Sequence, residues 1–408
     1  MFLPKGEPMF PDRRSGAPGP IALRLRRRAA AATLGAATLA LALTLAGCGG
    51  RAGGALVVVG PTPEGAGVVD MLVVTTRAPV PDDGVMFSGE RGTEIGRTAI
   101  RVSIPPVAER RVGEVLWPSR RPPDPKREFA VVERTDLAPD GGRAWFRRSG
   151  NGRALIFVHG YNTRYDDAVF RFAQFVHDSG TPLTPVLFTW PSRGKVSQYV
   201  YDRESTNYSR DAFEALLRAA ITDPSVKEVG ILSHSMGTWL TMETLRQMAI
   251  RDGGLDPKIR DVVLASPDID GDVFRRQISR LGSPRPRLSL FVSRDDRALD
   301  LSRMISGDVE RVGSIDPSAE PWKSTLEKEN VHVFDLTDVK TADRLNHGKF
   351  AADGDVVRLI GNRLMAGHTV SDGRVGFSDT LRGAVSGTVG VVGRAAGSVV
   401  SAPFEVIE

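Results

Sequence analysis

The chain has 408 residues, 41% hydrophobic and 25% charged, with 54 Lys and Arg against 49 Asp and Glu and a single cysteine. That apolar content, with 17 Phe and 5 Trp, supplies a large core and excludes disorder over most of the length; one Cys excludes an intramolecular disulfide and, with six scattered His, a Cys-rich zinc site. The formal charge of +5 would suggest nucleic acid, but seven basic and two acidic residues lie before residue 48, and the rest of the chain carries 47 of each. No nucleic-acid partner is therefore expected.

Arg24, Arg26, Arg27 and Arg28 precede an unbroken run of Ala, Leu, Thr and Gly from Ala29 to Gly47, the positive-then-apolar order of an export signal. The run ends in Leu45-Ala46-Gly47-Cys48. This resembles the lipobox of bacterial lipoproteins, in which the Cys thiol is lipidated and the chain is cut just before it. An uncleaved signal anchor, or ordinary cleavage nearby, is the competing reading. The resemblance implies a lipoprotein signal peptide over 1–47, lipidation at Cys48, and a protein of the bacterial cell envelope that faces the periplasm. Its link to the membrane is then a lipid anchor, with several acyl chains each contributing about 0.8 kcal/mol per CH₂.

A tether over 48–68 leads into β-branched segments at Ala55 to Val59, Val69 to Thr76, Thr98 to Ile104 and Glu128 to Glu133, separated by Pro and Gly. A β-rich section packed on the core is expected over 69–152. From Arg153 onward the texture changes. Apolar runs (ALIFVHG, TPVLFTWP, VKEVGILSHS, IRDVVLASP, RLSLFVSRDD, VHVFDLT) alternate with amphipathic stretches such as Asp166 to His177, Arg210 to Ile221 and Met236 to Ile250. Nearly continuous Val/Ile/Leu strands alternating with helices predict a mostly parallel α/β sheet covered on both faces, over 153–364. The Gly/Ala/Ser/Val-rich remainder, 365–408, reads as a flexible tail with no assigned role.

The window ILSHSMGTWLTMETL carries the chemistry. A buried strand ends at Ser233-His234-Ser235-Met236-Gly237 and a helix follows at once, the setting of a nucleophile elbow. A tight strand-to-helix turn lifts the Ser235 hydroxyl out of the sheet, and the helix N-terminus aims N–H groups at a developing oxyanion. The usual pattern is G-x-S-x-G; Ser233 stands at its first glycine. Upstream, RALIFVHGYN is a strand ending in His159-Gly160, where the amide of Tyr161 would join that of Met236 as the oxyanion hole. His159 itself reads as a structural histidine.

Taken together, His159 to Asn162, Phe188 to Ser192 and Ser233 to Gly237 resemble the HGYN, FTWPS and SHSMG blocks of a bacterial family of α/β-hydrolases of unknown function. The similarity runs from about Val69 to Leu364 and takes in FSGERGTEIGR at Phe87 to Arg97. It implies the α/β-hydrolase fold and a Ser-His-acid triad in the chain order Ser, acid, His. His332, His347 and His368 follow Ser235; His332 alternates inside a strand and His368 adjoins the tail, which leaves His347 in LNHGKF as the base. For the acid, Asp268 and Asp270 follow one strand and Asp295 and Asp296 the next. SRDDRAL resembles the family block whose second position carries the acid, so Asp296 is chosen, with Asp295 and then Asp270 behind it.

The expectation is a serine hydrolase, a carboxylesterase or lipase-like enzyme acting on a small-molecule or lipid ester without metal or organic cofactor. A thioesterase, amidase or acyltransferase of the same fold, or a non-catalytic envelope lipoprotein using the scaffold for binding, is the alternative. Oligomeric state is left open. The stretch after FTWPS, with Tyr199, Tyr201 and Tyr208, reads equally as a lid over the site or as a helix packed on its neighbours.

Overall fold

A computed structural model describes residues 52–147 and 152–365. The expected signal peptide, Cys48, His368 and the tail from residue 366 lie outside the described residues. Among the described residues no helix is long and apolar enough to cross a membrane.

Among the described residues nine strands form one sheet: β1 (Gly67–Pro79), β2 (Phe87–Ile104), β3 (Ala130–Asp136), β4 (Arg153–Val158), β5 (Thr184–Thr189), β6 (Glu228–His234), β7 (Ile259–Ala265), β8 (Arg287–Val292) and β9 (His332–Asp335). Their order is β3-β2-β1-β5-β4-β6-β7-β8-β9. From β1 to β9 every neighbouring pair is parallel; only β1–β2 and β2–β3 are antiparallel. The section expected to pack on the core therefore continues it edge to edge, because Leu72 to Thr75 of β1 pair in register with Val186 to Thr189 of β5.

The helices are α1 (Gly141–Arg147), α2 (Tyr165–Ser179), α3 (Tyr199–Thr222), α4 (Met236–Asp252), α5 (Gly271–Ile278), α6 (Arg297–Ile305), α7 (Trp322–Lys328), α8 (Lys349–Ala352) and α9 (Gly354–Met365). Strand residues alternate between two cores. Ala154, Ile156 and Val158 face Phe213 and Leu217 of α3, Leu240 and Leu245 of α4 and Phe274 of α5. Leu155 and Phe157 face Phe172 and Phe175 of α2 and Val357 and Ile360 of α9. With both faces covered, the central strands read as continuous apolar runs, and this is the α/β-hydrolase architecture expected from sequence.

Ala55 to Val59 is not a strand. Ala55 and Leu56 are buried, but Leu56 N–H donates to Gly84 O at 2.9 Å in the β1–β2 turn, outside any ladder. Gly54 (φ 73°) and Gly60 (φ 101°) turn the chain on either side, and Val59 N–H donates to Val131 O of the edge strand β3 at 3.0 Å without forming a ladder.

Candidate active site

Parallel strands place their carboxyl ends together, and the site lies across the ends of β4, β6, β7 and β8. Ser235 sits between β6 and α4 with φ 51° and ψ −124°, a conformation few residues other than glycine adopt. The surrounding contacts hold it there. Ser235 N–H donates to Ala265 O at 2.9 Å, and its carbonyl accepts from the Thr238 amide at 3.0 Å and the Thr238 hydroxyl at 2.6 Å. A Cβ on Gly237 would meet Val158 O at 2.8 Å and also collide with His159 O, so only glycine lets α4 start this close to β4. Gly160 approaches in the same way: a Cβ there would lie 2.8 Å from Ser235 Cβ.

Met236 opens α4, so its N–H has no carbonyl within the helix to bind. Among the described residues no hydrogen bond takes up the Tyr161 amide either. The two amides expected at the oxyanion hole thus flank the elbow with their donors unspent.

Asp296 caps α6, its Oδ1 accepting the amides of Ala298 and Leu299 at 3.1 Å each, while its Oδ2 lies 2.7 Å from His347 Nδ1. The carboxylate is fully buried. Burial opposes the charged form of His347, but the Asp296 carboxylate outweighs it, with Asp268 and Asp343 adding to the effect, and the His347 pKa stands above the ordinary value. Asp343 also fixes the loop, its Oδ2 accepting the amides of His347 and Gly348 at 2.7 Å each. Next to the elbow, His234 donates from Nε2 to His347 O at 3.1 Å, and the two rings lie 4.6 Å apart. Burial and the neighbouring His347 hold His234 well below the usual pKa, so it stays neutral.

The other candidates are placed elsewhere. Asp295 pairs with Lys349 Nζ at 2.7 Å and accepts from Asn346 Nδ2 at 2.9 Å. Asp270 caps α5 through the amides of Asp272 and Val273, and Asp268 accepts from Tyr199 Oη (2.9 Å) and Ser302 Oγ (2.5 Å). His332 lies in β9. The structure therefore brings Asp296 and His347 together, and leaves Asp295 to hold the loop at Asn346 and Lys349 and Asp270 to cap α5. Ser235 Oγ makes no hydrogen bond among the described residues; contacts of this kind commonly tighten only when substrate is bound.

A family model described as "Alpha/beta hydrolase of unknown function (DUF900)" matches residues 142–363. The chain belongs to this α/β-hydrolase family. The match begins near the end of the β-rich section, so FSGERGTEIGR lies upstream of it. No curated protein matches the chain. Among solved structures it is similar to an esterase of Pyrobaculum calidifontis, at 12% identity over 85% of this chain and 97% of that one, with a TM-score of 0.33. An esterase of Pyrococcus furiosus is similar at 13% identity over 76% and 97%, with a TM-score of 0.34. At such scores these likenesses carry no argument about activity.

The HGYN and FTWPS blocks of this α/β-hydrolase meet through a buried residue that sequence reasoning missed. Arg77 of β1 donates from Nε to Thr189 Oγ1 (2.9 Å), from Nη1 to Ser192 O (2.9 Å) and from Nη2 to Thr163 O (2.7 Å). Burial lowers its pKa to about 10. His159 accepts the Trp190 amide at Nε2 (3.1 Å), so its Nδ1–H donates to Gly160 O (2.8 Å), and burial first and Arg77 second depress its pKa to about 3. It is a neutral structural residue, as expected. Asp202 completes the network, accepting Ser192 Oγ–H (2.6 Å) and the amides of Asn162 (3.2 Å) and Arg193 (3.1 Å). Arg77 and Asp202 thereby fix the backbone around Tyr161. The available signal was an arginine inside the strand MLVVTTRAP, where a charge must find buried partners.

Proposed function

We propose that this protein is a serine hydrolase acting on carboxylic ester bonds through Ser235, His347 and Asp296. His347 Nε2 takes the Ser235 Oγ proton as Oγ bonds to the substrate carbonyl carbon. The oxyanion is held by the amides of Tyr161 and Met236. His347 then passes the proton to the leaving alkoxide as the ester C–O bond breaks, and water activated by the same ring releases the acid and regenerates Ser235. The reading rests chiefly on the hydrogen bond from His347 to the buried Asp296, formed beside a serine in elbow conformation. Its cellular setting, argued from the lipobox-like Leu45 to Cys48, is a bacterial envelope, with the chain exported and lipid-anchored at Cys48.

Hydrolysis of nitrophenyl esters of increasing acyl length tests this. The wild-type chain should turn over at least one ester, and Ser235→Ala should lose that activity; equal rates would exclude Ser235 as nucleophile. For the anchor, Cys48→Ser should abolish incorporation of labelled palmitate, and undiminished incorporation would exclude that site.

A further inference from the structure

His234, the residue before Ser235, takes no part in the chemistry proposed above, yet its ring stands between the nucleophile elbow and the loop that carries His347. A Cβ on Gly160 would lie 2.8 Å from its Nδ1. The ring stacks on Phe350 (4.5 Å between ring centres, 28° between planes) and meets the His347 ring at 4.6 Å. Held by these contacts, its Nε2–H donates to His347 O at 3.1 Å, and Ser266 Oγ donates to the same carbonyl at 3.3 Å. Burial first, then His347, with Arg171 and His159 adding to them, oppose the protonated ring. It therefore stays neutral, with its one N–H on that carbonyl.

The other ties of this loop lead elsewhere. Asp343 holds the amides of His347 and Gly348 from within it. Asn346 bonds Asp295, Leu345 O accepts the Arg297 amide, Lys349 Nζ donates to Ser293 Oγ and Leu336 O, and the His347 ring itself is held by Asp296. These partners lie in the loop or just past β8 and β9. Among the described residues, hydrogen bonds tie the loop to the strands beside the nucleophile only at His347 O, from His234 at the end of β6 and from Ser266 just past β7. Because His234 and Ser235 are adjacent in the chain, the bond from His234 sets how the base loop stands against the elbow. Misplacing a reacting group by about 1 Å can cost on the order of 10²-fold in rate.

We infer that His234 is a positioning residue: by gripping the His347 carbonyl through its Nε2–H, it sets where the His347 ring stands relative to Ser235. The effect on rate rests on the proposed chemistry of Ser235 and His347; the grip itself does not.

Three substitutions in the full chain separate the N–H from the ring. His234→Phe keeps an aromatic ring against Phe350 but lacks the donor, His234→Gln keeps an N–H at similar reach, and His234→Asn carries the same amide one methylene shorter. kcat and KM are measured on the nitrophenyl esters. The His347 Nδ1 proton that faces Asp296 is followed by NMR as a downfield resonance, identified by its loss in His347→Gln. In the Phe and Asn variants kcat should fall about 10–10²-fold with KM little changed, and the resonance should broaden as the proton exchanges faster with water. His234→Gln should restore the sharp resonance and most of kcat. Unchanged kcat and resonance in a folded Phe or Asn variant would overturn the inference, even with a lower midpoint of thermal unfolding, which a merely structural contact would also give. Equal loss in His234→Gln would overturn it by assigning the effect to the ring. If the wild-type chain hydrolyses no ester, the catalytic reading fails and the resonance decides alone: broadening in Phe and Asn with recovery in Gln upholds the grip, and no change refutes it.

Discussion

Asp296 divides its two oxygens, one holding the first turn of α6 and the other lying 2.7 Å from His347 Nδ1. The helix cap fixes the carboxylate, and the carboxylate holds His347 at Nδ1, which leaves Nε2 for the proposed proton transfer. Asp296→Asn keeps an acceptor oxygen for the cap but can present an amide N–H to the ring. The ester rate should fall by about 10³–10⁴-fold. Asp295→Asn, whose partners are Lys349 and Asn346, should leave the rate within about tenfold while lowering the midpoint of thermal unfolding.

The pH profile follows from the same pair. His347 acts as base only when neutral, and Asp296 holds its pKa above the usual 6.5 against the effect of burial. kcat/KM should therefore rise with pH through a midpoint above 6.5. Asp296→Asn removes the charge that raises the pKa and leaves burial, so the midpoint of the residual activity should move to lower pH. An unchanged midpoint would mean that another group controls the profile.

Arg77 and the oxyanion loop make a separate prediction. Arg77→Leu leaves the Thr163 and Ser192 carbonyls and Asp202 without their buried cation, at a cost of about 3–5 kcal/mol in urea unfolding. Arg77→Lys keeps the charge but lacks the planar fork that reaches three acceptors at once. It should recover stability in part, with kcat reduced more than KM is changed, because the Tyr161 amide is displaced from the transition-state oxygen. Stopped assays at several ester concentrations separate the two constants.

Gly237→Ala places a methyl against the Val158 and His159 carbonyls, which are backbone and cannot swing aside. The expected loss is about 1–3 kcal/mol of stability, together with most of the activity. Circular dichroism melts and ester assays on the same preparation check both.

Much of this site was legible because parallel α/β sheets deliver function to strand ends. Ser235 directly follows the apolar strand β6 and Asp296 follows the apolar strand β8 within four residues, so chain position stood in for space, and His347 was reached by the chain order that the family resemblance implies. Arg77 was not legible in the same way. Its partners Thr163, Thr189 and Ser192 lie 86 to 115 residues away, and only the pairing of β1 with β5 shows that they meet. The β-rich section was recognised as strands, but its continuity with the core depends on that same pairing. Tyr199 could be lid or packing by composition; its bonds to Asp268 and Ser302, and those of Tyr201 to Gly89 O and Tyr208 to Gly92 O, make the stretch a helix packed on its neighbours. Ala55 to Val59 misled because β-branched composition alone does not make a strand.

The proposed mechanism requires Ser235 to be a nucleophile activated by His347. Its most direct test is reaction of the purified chain with a fluorophosphonate, followed by peptide mapping by mass spectrometry. A single phosphonylated peptide modified at Ser235 is expected, lost in Ser235→Ala and formed at least about 10³-fold more slowly in His347→Ala. Modification elsewhere, equal labelling of Ser235→Ala, or no labelling of a folded wild-type chain would contradict it.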